Sequence, residues 1–220
     1  MQMVRIAFIL PHLRTGGIEH VVARLLAGLD RRRFTPLLYL RNPDGELLAL
    51  VPDDVERADA GGARALVLAP RLARWLRHER VDLIYSGTNA MNLVALAAVR
   101  LIAQAARPQV IVSEHTSTTA YLAGAKMPRL RRALIRRLYP KADLLMAPTD
   151  FLCHDWAALI GRKVPPVAVA HNPVFDPAVL ATLRAAPPRR IPGRVICAGR
   201  ITFSIAAALP GSSPPAAAAM

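Results

Sequence analysis

Two adjacent glycines, a histidine behind a branched apolar run, and an arginine-rich stretch are the residues of this 220-residue chain best suited to chemistry. Gly16 and Gly17 stand in Pro11-His12-Leu13-Arg14-Thr15-Gly16-Gly17-Ile18-Glu19. Glycine lets a backbone approach a ligand closely, and a helix beginning there favours an anion at its N-terminus. The spacing is neither GxGxxG nor the GxxxxGK of a P-loop, which argues against a dinucleotide dehydrogenase and a P-loop nucleotidase. An ordinary strand-to-helix turn is the competing reading. His115 follows Val110-Ile111-Val112-Ser113-Glu114. A histidine in that place reaches a ligand crevice and can donate a hydrogen bond to a substrate hydroxyl, or it is a structural histidine satisfied by carbonyls. Glu114 is either its partner or a solvated edge residue.

Two further turns carry polar groups. Gly87-Thr88-Asn89 suits hydroxyl recognition, but Thr88 or Asn89 can instead cap the helix that follows. In His171-Asn172-Pro173-Val174, Pro173 forces Asn172 out of the helical region, so the chain turns there. Between Lys126 and Leu138, Leu130, Leu134 and Leu138 recur every fourth residue, flanked by Arg131, Arg132, Arg136 and Arg137. Such a helix either lies on an anionic bilayer or packs its apolar face in the core with a solvated basic face. No aromatic residue interleaves with the arginines, so stacking on nucleic-acid bases has no support.

Residues like these need a frame, and the chain supplies alternating strands and helices. Strands are expected at Val4 to Leu10, Phe34 to Leu40, Val55 to Ala58, Val81 to Ser86, Gln109 to Ser113, Leu144 to Ala147 and Val167 to Ala170. The near-continuous apolar run of the first is that of a strand buried on both faces. Ile18, Val21, Val22, Leu25, Leu26 and Leu29 form a helical stripe. Further helices are expected over Leu66 to Arg80, Asn89 to Ala106 and Arg129 to Tyr139, and another starts at an N-cap on Thr149 or Asp150. The alternation implies an α/β fold, a doubly wound parallel sheet of Rossmann-like type. Ligands of such sheets bind beyond the carboxyl ends of the strands.

Composition narrows the classes. At 53% hydrophobic residues and mean hydropathy +0.28, the chain can build a core, which excludes disorder over most of its length. The net charge of +14 and pI near 11.3 favour anionic partners. Cys153 and Cys197 form neither a CxxC pair nor a zinc spacing. The longest apolar stretch, Asn89 to Ala106, is broken by Arg100 and Gln104 and falls short of the ~20 residues a bilayer requires. Neither a signal peptide nor a membrane span is expected, which points to a cytoplasmic protein, with peripheral contact on the inner membrane face open. From Thr202 to Met220 no residue is charged. This tail reads as disordered low-complexity sequence of the kind a frameshift leaves.

Taken in order over about residues 3 to 201, these motifs resemble the N-terminal domain of family 4 glycosyltransferases of the GT-B fold. The opening strand with Gly16-Gly17-Ile18-Glu19, the Val81 to Ser86 strand, Ser113-Glu114-His115, Pro148-Thr149-Asp150 and His171-Asn172-Pro173-Val174 carry the likeness. The resemblance implies transfer of a sugar from a nucleotide donor, UDP- or GDP-linked, to a lipid, polysaccharide or small-molecule acceptor. It implies retention, with no metal and no cofactor beyond the nucleotide sugar. His115 would then be the catalytic-site residue beside the transferred sugar. Gly16, Gly17, Glu19, Asn172 and Arg200 would contact donor or acceptor, and Arg131, Arg132, Arg136 and Arg137 a membrane. The expected divisions are 1–175 for the acceptor-side domain, 176–201 for a linker and the first strand of a donor-binding domain, and 202–220 for the tail. The family pattern continues with a lysine-glycine pair and a later pair of glutamates, absent here, so the chain is expected to be inactive alone. The alternative function is a non-catalytic binding or membrane-docking module derived from that domain.

Overall fold

The computed structural model describes residues 3–161, 163–173, 181, 182, 184 and 185. The chain divides into two units, Met1–Val174 and Phe175–Met220, and the sheet with its helices belongs to the first. The expected strand and turn at Val195 to Arg200, Cys197 and the tail at 202–220 lie outside the described residues.

Seven parallel strands form one sheet: β1 (Val4–Leu10), β2 (Phe34–Leu40), β3 (Glu56–Asp59), β4 (Leu83–Ser86), β5 (Gln109–Ser113), β6 (Leu144–Ala147) and β7 (Val167–Val169). Their spatial order is β3-β2-β1-β4-β5-β6-β7. The order reverses between β1 and β4, so the crevice above that pair is where a ligand fits. Ile6 pairs with Leu83 and Ile9 with Ser86, which brings the carboxyl ends of the two strands level. The helices are α1 (Gly17–Gly28), α2 (Ala65–His78), α3 (Asn89–Val99), α4 (Thr118–Gly124), α5 (Pro128–Leu138) and α6 (Asp150–Ile160).

Because side chains alternate across a strand, each face of the sheet has its own core. Ala7, Ile9, Leu37, Tyr39, Ile84, Val112 and Leu145 pack with α2, α3, α5 and α6. Ile6, Phe8, Leu10, Leu38, Leu40 and Tyr85 pack with α1 and with the 3-10 turn over Glu46–Leu50. Arg5 sits within β1 without cost to the core, because its guanidinium bonds the carbonyl and carboxylate of Glu79 at the sheet's lower edge.

Beyond shifts of one or two residues at the ends of α2, α5, β3 and β7, the observed elements depart from expectation in three places. The helix expected over Asn89 to Ala106 stops at Val99, after which the amides of Leu101 and Ile102 bond the carbonyls of Ala98 and Val99 in 3-10 fashion. Pro108 bars Arg107 from helical geometry, so the chain must straighten before β5 begins at Gln109. The fourth strand starts at Leu83, two residues late, since the Val81 amide still closes the end of α2 on the Leu76 carbonyl. Helix α4 has no counterpart among the expected elements; the Ser117 hydroxyl starts it by accepting from the Ala120 amide at 3.1 Å.

Candidate functional site

The loop between β1 and α1 is held open-ended but firmly. Its Leu13 amide donates to the Asp44 carbonyl at 2.8 Å, and the Leu47 amide to the Leu13 carbonyl at 3.0 Å. The Thr15 amide donates to the Glu46 carboxylate at 3.0 Å, and Arg14 forms an ion pair with Asp44. Gly45 makes this clamp feasible. Its φ is +128°, and a Cβ there would lie 2.0 Å from the Leu13 carbonyl carbon. The Asn42-Pro43-Asp44-Gly45 run signals a turn in the sequence, but its grip on the glycine loop is a tertiary fact.

Gly16 and Gly17 have different reasons to be glycine. Gly16 is extended and precedes α1; a Cβ on it would meet Glu19 Oε2 at 2.2 Å. Glu19, 7% exposed, folds back over that backbone in the first helical turn, where a carboxylate is favoured by the helix dipole. Its Oε1 lies 3.7 Å from Nδ1 of His12, a half-buried residue two positions beyond β1. A Cβ on Gly17 would meet nothing within 4 Å, so the open approach to the α1 N-terminus runs past Gly17. Gly87, after β4, closes the arrangement: a Cβ there would be 2.8 Å from Ile18 and 3.3 Å from Leu10. Its bare backbone lets the start of α1 sit against the ends of β1 and β4.

Beyond β5 the period-2 alternation continues for two residues and separates Glu114 from its neighbours. Ser113 and His115 turn to the α1 side. The Tyr85 hydroxyl donates to Ser113 Oγ at 3.1 Å, and Ser113 Oγ lies 3.0 Å from His115 Nε2, with Tyr85 Oη 3.3 Å from the same nitrogen. If Tyr85 donates to Ser113, Ser113 donates onward and Nε2 accepts. The imidazole proton then resides on Nδ1. That Nδ1 has no hydrogen-bond partner among the described residues. Burial lowers the His115 pKa, so at neutral pH the ring is an uncharged donor. Burial also raises the Tyr85 pKa and keeps the phenol protonated.

Glu114 turns to the opposite face. It is neither the partner of His115 nor a solvated edge residue: it is 3% exposed, and Tyr139 and the amides of Asn92 (3.0 Å) and Asn89 (3.3 Å) all donate to its Oε1. Burial pushes its pKa up to about 7, against those three donors. The same burial, with the neighbouring Glu114 charge, holds the Tyr139 pKa well above its usual value. Thr88 caps α3 by accepting from the Met91 amide, which frees Asn89 for this cluster. Thr149 likewise caps α6.

The remaining candidates lie apart. Asn172 follows β7, at the sheet edge, and makes no hydrogen bond with the described residues; the next residue, Pro173, accepts from Arg24 of α1 at 2.7 Å. Arg200 lies outside the described residues. The arginines of α5 point two ways. Arg132 and Arg136 line a depression of about 310 Å³ together with Asp155. Arg131 turns away from it, donating to the Lys126 carbonyl at 3.2 Å with its guanidinium 5.6 Å from the Tyr121 ring centroid. Arg137 is exposed in the last turn. Among the described residues no helix is long and apolar enough to cross a membrane, and no group of three His, Cys, Asp or Glu could hold a metal.

Thus Gly17, which opens α1 after β1, and His115, two residues beyond β5, both lie past the carboxyl ends of the strands that flank β4. Solved structures of other proteins share this fold. The chain is 20% identical to Anabaena Alr3699/HepE, solved in complex with UDP and glucose, over 83% of this chain and 50% of that one, with a TM-score of 0.56. It is 18% identical to the lipopolysaccharide outer core galactosyltransferase WaaB, over 78% and 46%, with a TM-score of 0.55. For sucrose-phosphate synthase from Thermosynechococcus elongatus the figures are 12% identity, 76% and 48%, and 0.57. The chain therefore spans about half the length of these structures. No curated protein matches by sequence. The family model for Glycosyltransferase Family 4 matches residues 15–176, from the glycine loop through β7. The chain belongs to glycosyltransferase family 4.

Proposed function

We propose that this chain supplies the acceptor-side half of a sugar-transfer site that draws on a nucleotide sugar, UDP- or GDP-linked. One observation carries the reading: the N-terminus of α1, open at Gly17, and the imidazole of His115, whose buried Nδ1 has no partner among the described residues, both lie beyond the carboxyl ends of the strands around the β1–β4 reversal. An α-helix N-terminus attracts the diphosphate of a donor. A neutral imidazole donor suits a sugar hydroxyl, and it holds the sugar without adding positive charge where an oxocarbenium-like centre develops. In this reading Glu19 positions the glycine loop, Asn172 contacts donor or acceptor beside β7, and no metal takes part. Family membership, and the UDP and glucose bound by Alr3699/HepE, support the donor class.

The related structures are about twice as long as this chain, so we infer that these 220 residues turn over only together with a donor-binding half. Release of nucleoside diphosphate from UDP- and GDP-linked sugars tests this. The expected result is none with these 220 residues alone; steady release with transfer to an added acceptor would contradict the half-site.

A second reading, a membrane-docking module working in the cytoplasm at the inner membrane face, draws on α5. That helix carries five arginines and no acidic residue, and presents Leu130, 49% exposed. The two readings are compatible.

A further inference from the structure

Helix α3 is apolar nearly all round, a composition expected of a helix covered on every side. Its inner face is covered by the sheet. Its outer stripe, Ala90, Leu93, Val94 and Ala97, has the i, i+3, i+4, i+7 spacing of one face and forms the floor of an open valley of about 500 Å³. Leu68 of α2 makes one wall, and Leu130 and Leu134 of α5 the other. Going up α5, burial falls from Leu138 at 9% exposed to Leu130 at 49%, and Met127 just before the helix is 66% exposed. The leucine stripe of α5 therefore serves the core at one end and the valley at the other.

The valley is polar at one end only. Arg41, Lys126 and Arg131 are its charged lining residues, and no carboxylate among the described residues lines it. Arg41 follows β2 at the carboxyl edge of the sheet, held there by a bond from its Nε to the Ala63 carbonyl at 3.1 Å. Lys126 precedes α5, and Arg131 lies in its first turn, held by the Lys126 carbonyl and the Tyr121 ring. Ala97 and Leu138 lie further along α3 and α5, toward the opposite edge. From Ala90 to Ala97 the floor is about 10 Å long at 1.5 Å per residue. A cationic end joined to an apolar trough is the complement of an anionic head joined to an alkyl chain.

We propose that this valley binds a phosphate-bearing lipid, with the phosphate among Arg41, Lys126 and Arg131 and the chain laid along α3 between α2 and α5. The site is separate from the His115 cluster, on the other face of the sheet, and does not rest on sugar transfer. It gives the basic helix α5 a specific role: Arg131 and Lys126 hold a headgroup, whereas Arg132 and Arg136 face elsewhere.

The test is calorimetric binding of decyl phosphate, butyl phosphate and inorganic phosphate to the protein, with flotation on phosphatidylcholine vesicles with and without phosphatidic acid. The expected order is decyl over butyl over free phosphate, with flotation only on the acidic vesicles. Val94→Trp fills the trough and should weaken decyl phosphate binding by about tenfold or more while leaving thermal unfolding cooperative. Ala97→Trp repeats the test one turn on, should Val94→Trp not fold. Lys126→Glu with Arg131→Glu should abolish flotation. Equal affinity for decyl and free phosphate overturns the proposal. So does loss of binding on charge reversal alone with the trough-filling variants unaffected, which would mean adsorption by surface charge only. A concentration-dependent dimer in sedimentation that Val94→Trp dissolves would assign the valley to a second copy and likewise overturn it. None of these readouts depends on sugar transfer, so its failure and failure of the glycosyltransferase reading are seen separately.

Discussion

Ser113 and His115 lie two residues apart on one side of the β5 end, and Ser113 Oγ stands 3.0 Å from His115 Nε2. With Tyr85 donating to Ser113 and Ser113 donating on to Nε2, the imidazole proton is left on Nδ1. At neutral pH His115 should be uncharged with its proton on Nδ1. Burial holds its pKa below the ordinary 6.5, so it takes up a proton only after the unfolded chain does as pH falls. Its contribution to stability is therefore present above 6.5 and is lost as pH falls through the folded value. Long-range nitrogen-proton NMR on the imidazole reads this directly. Ser113→Ala should mix the two tautomers; a charged ring at pH 7 would sink the prediction.

Glu114 predicts a pH dependence of the opposite sense. Folded, its carboxyl keeps the proton up to about pH 7; unfolded, it loses it near 4.5. Between these values the folded chain binds more protons, so stability falls as pH rises through the window. The loss is on the order of 3 kcal/mol across it. Glu114→Gln retains a side-chain oxygen for Tyr139 and the two asparagines but cannot ionise. Urea denaturation between pH 4.5 and 7 should show the slope in the natural protein and its disappearance in the variant. Identical slopes would mean that Glu114 is ionised throughout.

Gly87 and Gly45 hold the crevice together by having no side chain. Gly87→Ala brings a methyl to 2.8 Å from Ile18, whose side chain must yield, at a cost of about 1–3 kcal/mol. Gly45→Ala meets the Leu13 backbone at 2.0 Å and also strains φ at +128°, so its loss should be the larger. Midpoints of chemical denaturation rank the two variants, and a Gly45→Ala protein as stable as the parent would contradict the clamp.

Gly16 and Gly17 separate structure from function. Gly16→Ala must displace the buried Glu19 carboxylate and should destabilise the fold by ~1 kcal/mol or more. Gly17→Ala meets nothing and occupies the first helical position, where alanine is favoured over glycine. Its stability should be equal or slightly higher, while nucleotide-sugar binding weakens. Loss of stability in Gly17→Ala would show that the glycine is there for the turn.

Much of this architecture was legible in the residues. Buried parallel strands read as largely apolar runs, so β1, β2, β5 and β6 fell where Val4 to Leu10, Phe34 to Leu40, Gln109 to Ser113 and Leu144 to Ala147 stand. The Thr149 cap was legible because a hydroxyl before a helical stripe has a local partner. Glu114 was not: which face a residue takes after a strand ends depends on what waits there, and Asn89, Asn92 and Tyr139 are far away in sequence. Nor was the difference between Gly16 and Gly17, since two glycines look alike until the side chain folded over one of them is known. The end of α3 was hidden because Leu101 to Ala106 stays largely apolar, and Pro108 rules out helix only at Arg107, eight residues beyond the observed end.

The central claim is that Gly17 and His115 belong to one sugar-nucleotide site. Titrating isotope-labelled protein with UDP-glucose and GDP-mannose, while following the Gly17 amide and the His115 Nδ1 resonance by NMR, tests it most directly. The account predicts that at least one of the two ligands shifts both signals along a single saturation curve, and that His115→Ala weakens the response at Gly17. Saturable binding that leaves Gly17 and His115 unmoved, or no binding at millimolar ligand, would contradict it.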